Sequence, residues 1–318
     1  PAEMSGRIIA AAQETGFGLT HLPVIYEQGG VDGRALAGGQ LRFGSSHDTY
    51  ARILEGARKA LAALPDARLG VAPHSLRAVS LETLRRVADM VPTGPVHIHI
   101  AEQVAEVTEV QAAWGARPVE WALANLALDG RWCMIHATQM TPAETAALAG
   151  TGAVAGLCPI TEGNLGDGIF NGPDWLAAGG AFGVGSDSNV LISMPEELRT
   201  LEYSQRFAHK ARAVMADATR STGRLLWEGA TAGGAQAGGR ASGAIATGAW
   251  ADLLAIDTND LRLEGLKGDT LLDAFLFAGR DGLVTDLWSA GRHIVQGGRH
   301  IARDATAPPV VDPCQKFP

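Results

Sequence analysis

Short apolar runs rich in β-branched residues alternate with longer amphipathic stretches over residues 1–190, and this alternation restricts the fold more than any other feature of the sequence. It is typical of βα units arranged around a parallel sheet. Strands are predicted at residues 18–26, 68–74, 96–101, 132–137, 153–158 and 181–185. Helices are predicted between them, for example at residues 50–63, 81–90, 104–114 and 142–149. The sequence therefore predicts an α/β fold.

Polar side chains cluster where the predicted strands end. The clusters are His74 with Ser75 and Arg77, His99 with Glu102, His136 with Thr138, Thr161 with Glu162, and Asp187 with Ser188. Because the active site of a (β/α)8 barrel is built from the carboxyl ends of its strands, these clusters favour a TIM-like barrel over an open sheet. About six of the eight βα units are visible, so we expect an incomplete barrel whose first two units precede Pro1.

The pattern changes after residue 240. Residues 243–257 and 286–298 predict short strands joined by Gly-rich turns. We therefore expect two parts. The incomplete barrel covers residues 1–240, and a small β-sandwich portion of returning strands, followed by a polar tail, covers residues 241–318.

The composition, with 46% hydrophobic and 19% charged residues, is that of a globular protein with a large core. A net charge of −8 provides no basic face for phosphate backbones, so we expect a small-molecule substrate rather than nucleic acid. The 3 cysteines are too few for a disulfide framework and indicate a reducing compartment, the cytoplasm. No apolar run of about eighteen residues and no signal-peptide pattern is present, so no membrane association is predicted.

Two histidines, His97 and His99, alternate along one predicted strand, so both point to the same face, which in a barrel is the interior. His99 is nearer the catalytic rim, and Glu102 follows just past the strand end. Taken alone, the pair could be two hydrogen-bonded core histidines. Taken alone, His136 could be a structural hydrogen bonder and Asp187 a helix cap. Their shared position at strand ends instead favours one catalytic site.

The order H-x-x-E, then HAT, then GSDS resembles the amidohydrolase superfamily, and the wider context is similar to formimidoylglutamate deiminase. The likeness is carried by GVAPHSLRAVS (70–80), HIHIAEQVAEV (97–107), GARPVEW (115–121), RWCMIHAT (131–138), GAVAGLCPITEGNLGDGIF (152–170), GVGSDSNV (183–190) and EELRTLEYSQR (196–206). The resemblance implies hydrolysis of N-formimino-L-glutamate to N-formyl-L-glutamate and ammonia, a step of histidine degradation.

The same resemblance assigns roles to individual residues. It makes His99 and Asp187 ligands of one Zn²⁺ ion, while Glu102, His136 and Asp187 handle protons. The substrate contacts it implies are His74, Arg77 and Glu162. A guanidinium matches a carboxylate in two bonds, which suits Arg77, although an ordinary surface ion pair is the alternative.

The sequence also departs from the family pattern. No HxH motif lies upstream of His99, so two of the expected metal ligands are present and we expect these 318 residues alone to bind zinc weakly. Gln139 and Asn189 stand where histidines are expected. Two alternatives stay open: a deaminase of a purine-like ring, which the aromatic content of 6% does not favour, and a catalytically inactive barrel. A homodimer is expected, with residues 196–206 at its interface.

Overall fold

The computed structural model describes residues 1–188 and 191–306, and six parallel strand positions follow one another through it in chain order. The first position consists of β1 (Thr20–His21) and β2 (Val24–Ile25), and the second of β3 (Arg68–Leu69) and β4 (Ala72–Pro73). The other four are β5 (Val96–Ile100), β6 (Trp132–His136), β7 (Val154–Leu157) and β8 (Ala181–Val184). The prediction of an α/β fold with parallel strands is confirmed.

Each strand position pairs in parallel with the next one along the chain. β1 pairs with β3 and β2 with β4, while β5 to β8 form one four-stranded sheet in that order. Two single bridges, Val71 to Val96 and Ser75 to His99, join the second position to the third. The carboxyl ends of all six positions therefore lie along one rim.

The first strand position is interrupted at Pro23. Backbone N–H groups on the second position still donate to the first at regular intervals, as Gly70 does to His21, Ala72 to Pro23 and His74 to Ile25. Proline has no N–H group, so the reverse bond is missing at this point and the ladder divides into two short pieces.

Helices lie between the strands, and several begin at the caps that the sequence provides. They are α1 (Glu3–Thr15), α2 (His47–Leu61), α3 (Leu81–Arg86), α4 (Val104–Trp114), α5 (Pro118–Asn125), α6 (Pro142–Ala149), α7 (Pro159–Leu165), α8 (Gly172–Ala177), α9 (Met194–His209), α10 (Thr222–Ala237), α11 (Gly268–Phe277) and α12 (Arg303–Thr306), with 3-10 turns at Gly38–Phe43, Val87–Met90 and Asp281–Leu283. At α6 a capping box begins the helix: the Thr141 side chain accepts from the Glu144 N–H, and Glu144 accepts from the Thr141 N–H.

The apolar core lies between the strands and the helices. Along β5, Val96, Ile98 and Ile100 are fully buried in it. The two histidines of β5 alternate with them and point to the opposite face, as the sequence predicts. Apolar burial on one face thus directs His99 to the other.

The helix α10 approaches β8 very closely. A Cβ atom added at Gly233 would lie 1.9 Å from the carbonyl oxygen of Phe182, whereas one added at Gly234 would meet no atom within 4 Å. Only glycine at position 233 allows this approach of helix to strand.

The C-terminal strands form a four-stranded antiparallel sheet in the order β12, β11, β10, β9, with β9 at Leu253–Ile256, β10 at Val284–Ser289, β11 at Arg292–Gln296 and β12 at Arg299–His300. The buried carboxylate of Asp66 connects this sheet to the parallel strands. It accepts from Arg292 at 2.8 Å and from Arg240 at 3.3 Å. Two arginines around one buried carboxylate offset the cost of burying its charge.

Within the two described ranges, no helix combines the length and apolar character needed to cross a membrane.

Candidate active site

Three of the predicted site residues are histidines at the ends of neighbouring strand positions, and the structure brings them together. The ring centroids of His74 and His99 are 4.8 Å apart, and those of His99 and His136 are 5.7 Å apart. The rings follow the order of their strands because β4, β5 and β6 are adjacent. They form one row along the rim.

His99 is held in a single orientation by the carbonyl oxygen of His74. That oxygen accepts from the backbone N–H of His99 at 3.1 Å and lies 2.7 Å from its ring Nδ1. A ring that donates Nδ1–H to a carbonyl presents Nε2 as a lone pair, the usual arrangement of a metal-binding histidine. Burial lowers the pKa of His99, which favours this neutral form.

His97, two residues earlier, has a different role. Its Nε2 lies 2.8 Å from the carbonyl oxygen of Ala237 at the end of α10. This contact joins the strand to the helix, so for His97 the structural interpretation of the HxH pattern is correct.

His136 lies between two carboxylates and is 1% exposed. Its Nδ1 is 3.3 Å from Oε1 of Glu162, and its Nε2 is 3.7 Å from Oε1 of Glu102. Burial by itself would lower the pKa of His136, but the hydrogen bond to Glu162 and the nearby negative charges outweigh burial and raise it. His136 is therefore suited to carry a positive charge or to donate a proton.

Glu102 lies just beyond β5, with 24% of its side chain exposed. Burial raises the pKa of Glu102, and the positive charge that His136 can carry opposes this effect. A carboxyl group with a raised pKa holds its proton more tightly than an ordinary glutamate and is therefore a better proton donor once it has accepted one. This is the property expected of a group that shuttles a proton.

Asp187 lies three residues past the end of β8 and is exposed among the described residues. Its negative charge opposes the lowering of the His99 pKa by burial and adds to the raising of the His136 pKa, so Asp187 faces the same part of the rim. Asn189, one of the two departures from the family pattern, lies outside the described residues.

Backbone strain marks the same rim. Non-glycine residues with positive φ occur at the ends of three of the strands or up to three residues beyond them: Ala101 (φ 49), His136 (φ 67), Ala137 (φ 48) and Asp187 (φ 48). This conformation is unfavourable for residues with a Cβ atom and is concentrated at functional sites. Here it redirects the chain at the positions that carry Glu102, His136 and Asp187.

Arg77 and His74 border the row of histidines on the side of the second strand position. Burial, with the nearby charges of His99 and Arg77, lowers the pKa of His74 to about 3, so this ring is neutral. The positive charge of Arg77 lowers the pKa of both His74 and His99, so the half-buried Arg77 side chain lies close to this row. A guanidinium group in this place suits an anionic ligand.

Glu162 has a contact that the sequence does not predict. Its Oε1, besides contacting His136, accepts from the N–H of Cys158 at 2.9 Å. Glu162 is 4% exposed and so lies behind His136. Its contact with substrate remains a prediction, and the structure adds a role in holding the imidazole. Gln139, the other departure from the family pattern, donates to the carbonyl oxygens of Asp167 and Glu102.

Two further residues of the rim were missed by the sequence patterns. Tyr26 follows β2 directly, and its ring packs edge-on against His74 with centroids 4.6 Å apart. Its position at the end of a predicted strand could have identified Tyr26 as a residue of the rim from the sequence. Glu106, on the first turn of α4, binds the backbone beside Glu102. No spacing pattern pointed to it, because the contact depends on how the chain turns after β5.

The described residues fit part of a metal site. No group of three or more His, Cys, Asp or Glu side chains in residues 1–188 and 191–306 could hold a metal ion. His99, with its Nε2 lone pair, and Asp187 could contribute two ligands, whereas a catalytic zinc ion usually has three from protein. The donor types suit zinc, and these two residues do not complete the set.

This arrangement of polar side chains on the carboxyl rim of parallel strands has a counterpart among known proteins. The chain belongs to the amidohydrolase family, whose family model matches residues 7–294. The more specific resemblance is also confirmed. Formimidoylglutamate deiminase from Pseudomonas aeruginosa is 48% identical over 312 residues, which is 96% of this chain and 68% of that protein.

Solved structures support the same family. An amidohydrolase from Brucella melitensis has 51% identity and a TM-score of 0.92 over 96% of this chain and 67% of that one. An adenosine deaminase from Xanthomonas campestris with bound zinc has 25% identity and a TM-score of 0.82 over 95% of this chain and 66% of that one. The chain thus spans about two thirds of the length of these relatives.

Proposed function

We propose that the protein hydrolyses N-formimino-L-glutamate to N-formyl-L-glutamate and ammonia, a step of histidine degradation. The observation that carries the proposal is the buried His136 between Glu102 and Glu162, beside the oriented ring of His99. Together they provide a proton shuttle, a charged hydrogen-bond donor and a metal ligand within one short row. The deiminase from Pseudomonas aeruginosa supports the choice of substrate.

In the proposed reaction, water adds to the formimino carbon and the bond from that carbon to the terminal nitrogen breaks. Asp187 accepts a proton from the attacking water, and Glu102 delivers protons to the departing nitrogen. Both water protons thus end on that nitrogen, which leaves as ammonia, while the water oxygen stays on the carbon as the formyl C=O. His136 stabilises the tetrahedral intermediate by donating from Nε2, since Glu162 binds its Nδ1. Glu162 thus orients His136, as a buried acid does in other catalytic dyads.

A divalent cation, which we propose is Zn²⁺ with His99 and Asp187 among its ligands, would lower the pKa of water and so supply a nucleophile at neutral pH. The lowered pKa of His99 suits this role, because a ligating imidazole must be neutral.

We further propose that the six strand positions are part of a (β/α)8 barrel over residues 1–240. The C-terminal antiparallel sheet would then be part of a β-sandwich portion over residues 241–318. The TM-score of 0.92 with the Brucella amidohydrolase supports the barrel. A cytoplasmic location and a homodimer with residues 196–206 at its interface are also proposed. The exposed rings of Tyr203 and Phe207 support the dimer, which an oligomeric-state measurement tests.

The natural gene product, given N-formimino-L-glutamate and a divalent metal, is expected to form ammonia and N-formyl-L-glutamate in equal amounts. Removal of the metal by a chelator should stop both, and added zinc should restore them. A coupled ammonia assay and NMR of the product measure this. If the protein releases ammonia from adenosine-type substrates and not from N-formimino-L-glutamate, its function is that of a purine-ring deaminase. Turnover of neither would indicate an inactive barrel.

Replacement of Arg77 by methionine is expected to lower kcat/KM for N-formimino-L-glutamate by about 10- to 100-fold, mainly through KM, because a charged hydrogen bond to a carboxylate is lost. The control is Arg86→Met, which removes an exposed arginine that pairs with Glu82 on its own helix. Equal KM values for the two variants would contradict a contact between Arg77 and a substrate carboxylate.

A further inference from the structure

The turn between β5 and α4 carries Glu102, and a second glutamate holds it. Oε1 of Glu106 accepts from the N–H of Ala101 at 3.1 Å, and Oε2 accepts from the N–H of Glu102 at 2.9 Å. Each carboxylate oxygen of Glu106 therefore accepts from one of two successive backbone N–H groups. The second N–H group belongs to Glu102, the residue that we propose transfers the proton.

The backbone that Glu106 binds is in an unfavourable conformation. Ala101 has a φ of 49°, the left-handed region, at the point where the chain leaves β5. This conformation is unfavourable for a residue with a Cβ atom and persists only where surrounding contacts hold it. The two hydrogen bonds from Glu106 are such contacts. They fix the direction in which Glu102 leaves the strand, towards His136 at 3.7 Å.

Glu106 does not act as an ordinary helix cap. In a capping box, the glutamate of the first turn binds the N–H of the N-cap residue. The N-cap of α4 is Gln103, which has no side-chain cap bond, and Glu106 reaches past it to Ala101 and Glu102. The contact therefore orders the turn rather than the beginning of the helix.

Removing the Glu106 carboxyl group from water is unfavourable for its charged form. Burial raises the pKa of Glu106 to about 7, although the N–H groups of Glu102 and Ala101 lower it. An exposed glutamate could stabilise the end of the helix without this cost. The two backbone N–H groups that bind the carboxyl group account for this half-buried position.

We infer that Glu106 is a positioning residue that holds the backbone of Ala101 and Glu102 so that the Glu102 carboxyl group faces His136 and the substrate. The inference rests on the proposed function for its catalytic consequence. Its structural part, the acceptor for two N–H groups, can be measured on the chain itself.

The test compares Glu106→Ala and Glu106→Gln with the control Glu109→Gln, an exposed glutamate on the same helix. In the natural gene product, Glu106→Ala is expected to lower kcat for ammonia release by about 10- to 100-fold while KM stays within about twofold. Glu106→Gln should retain more activity, because its amide oxygen still accepts one bond. Hydrogen exchange at the amides of Ala101 and Glu102 should be fastest in Glu106→Ala, slower in Glu106→Gln and slowest in the wild type. The melting temperature of Glu106→Gln should equal that of the wild type.

An unchanged kcat in Glu106→Ala would overturn the inference, and so would unchanged exchange at both amides. A loss of kcat with an equal rise in KM would also overturn it, because that pattern indicates a substrate contact. If the wild-type protein releases no ammonia from N-formimino-L-glutamate, the proposed function fails. The exchange measurement on this chain then decides for or against Glu106 as the residue that holds the turn.

Discussion

Replacement of Glu102 by glutamine is expected to lower kcat for ammonia release from N-formimino-L-glutamate by about 100- to 10,000-fold, the usual range for loss of a general acid or base. Glutamine keeps the size of the side chain and its place near His136, but it cannot carry a proton. KM should change little, because the proton is transferred after the substrate has bound. Steady-state ammonia release at equal metal content measures both constants.

The control for this variant is Glu109→Gln, which removes a carboxyl group from the exposed face of α4. It should leave kcat within about twofold of wild type, as expected for a surface change. Ordinary ammonia release by Glu102→Gln would refute the assignment of the proton shuttle. A rise in KM without a fall in kcat would instead make Glu102 a binding residue.

The largest effect on stability is expected for Gly233→Ala. The new Cβ atom would lie 1.9 Å from the carbonyl oxygen of Phe182 and 2.4 Å from its carbonyl carbon, both in the backbone of β8. Since neither can rotate away, α10 must move off the strand. We expect a loss of about 3 kcal/mol or more in the free energy of unfolding. For a domain of this size the melting temperature should fall by at least about 5 °C.

Gly234→Ala is the matched control, one residue further along the same helix. A Cβ atom there meets nothing within 4 Å, and alanine favours the helix over glycine by up to about 1 kcal/mol. This variant should therefore be as stable as wild type or more so. Thermal unfolding of the three proteins at one scan rate gives the comparison. Equal melting temperatures for the two variants would show that α10 does not approach β8 as closely as the structure has it.

Much of the fold could be predicted because the relevant signals are local. The alternation along β5 requires only that apolar residues seek one face and polar residues the other. The capping box of Thr141 and Glu144 spans four residues, so its donors and acceptors are already close in the sequence. The interruption at Pro23 could also have been predicted, because proline removes one N–H group wherever it occurs.

The contacts between strand ends could not be predicted in the same way. His136 ends β6, whereas Glu162 lies on α7, the helix that follows β7, and their 3.3 Å contact requires β6 and β7 to be paired in register. The position of Glu106 depends on a left-handed residue, Ala101, that no sequence pattern indicated. Propensities for such a conformation in alanine are unfavourable, so only the surrounding contacts produce it.

The amino-acid sequence was sufficient to predict which strands form and which polar residues stand at their carboxyl ends, since hydrophobic period and chain order decide both. It also contained the family resemblance, because the segments that carry it are contiguous. The folded chain alone decided that Glu162 lies behind His136, that His99 presents Nε2, and that Glu106 holds the turn beside Glu102. The first two relations join residues of separate strand–helix segments, and their hydrogen-bonding partners meet only when the strands are paired. The third is local in the sequence, but it depends on the left-handed conformation of Ala101.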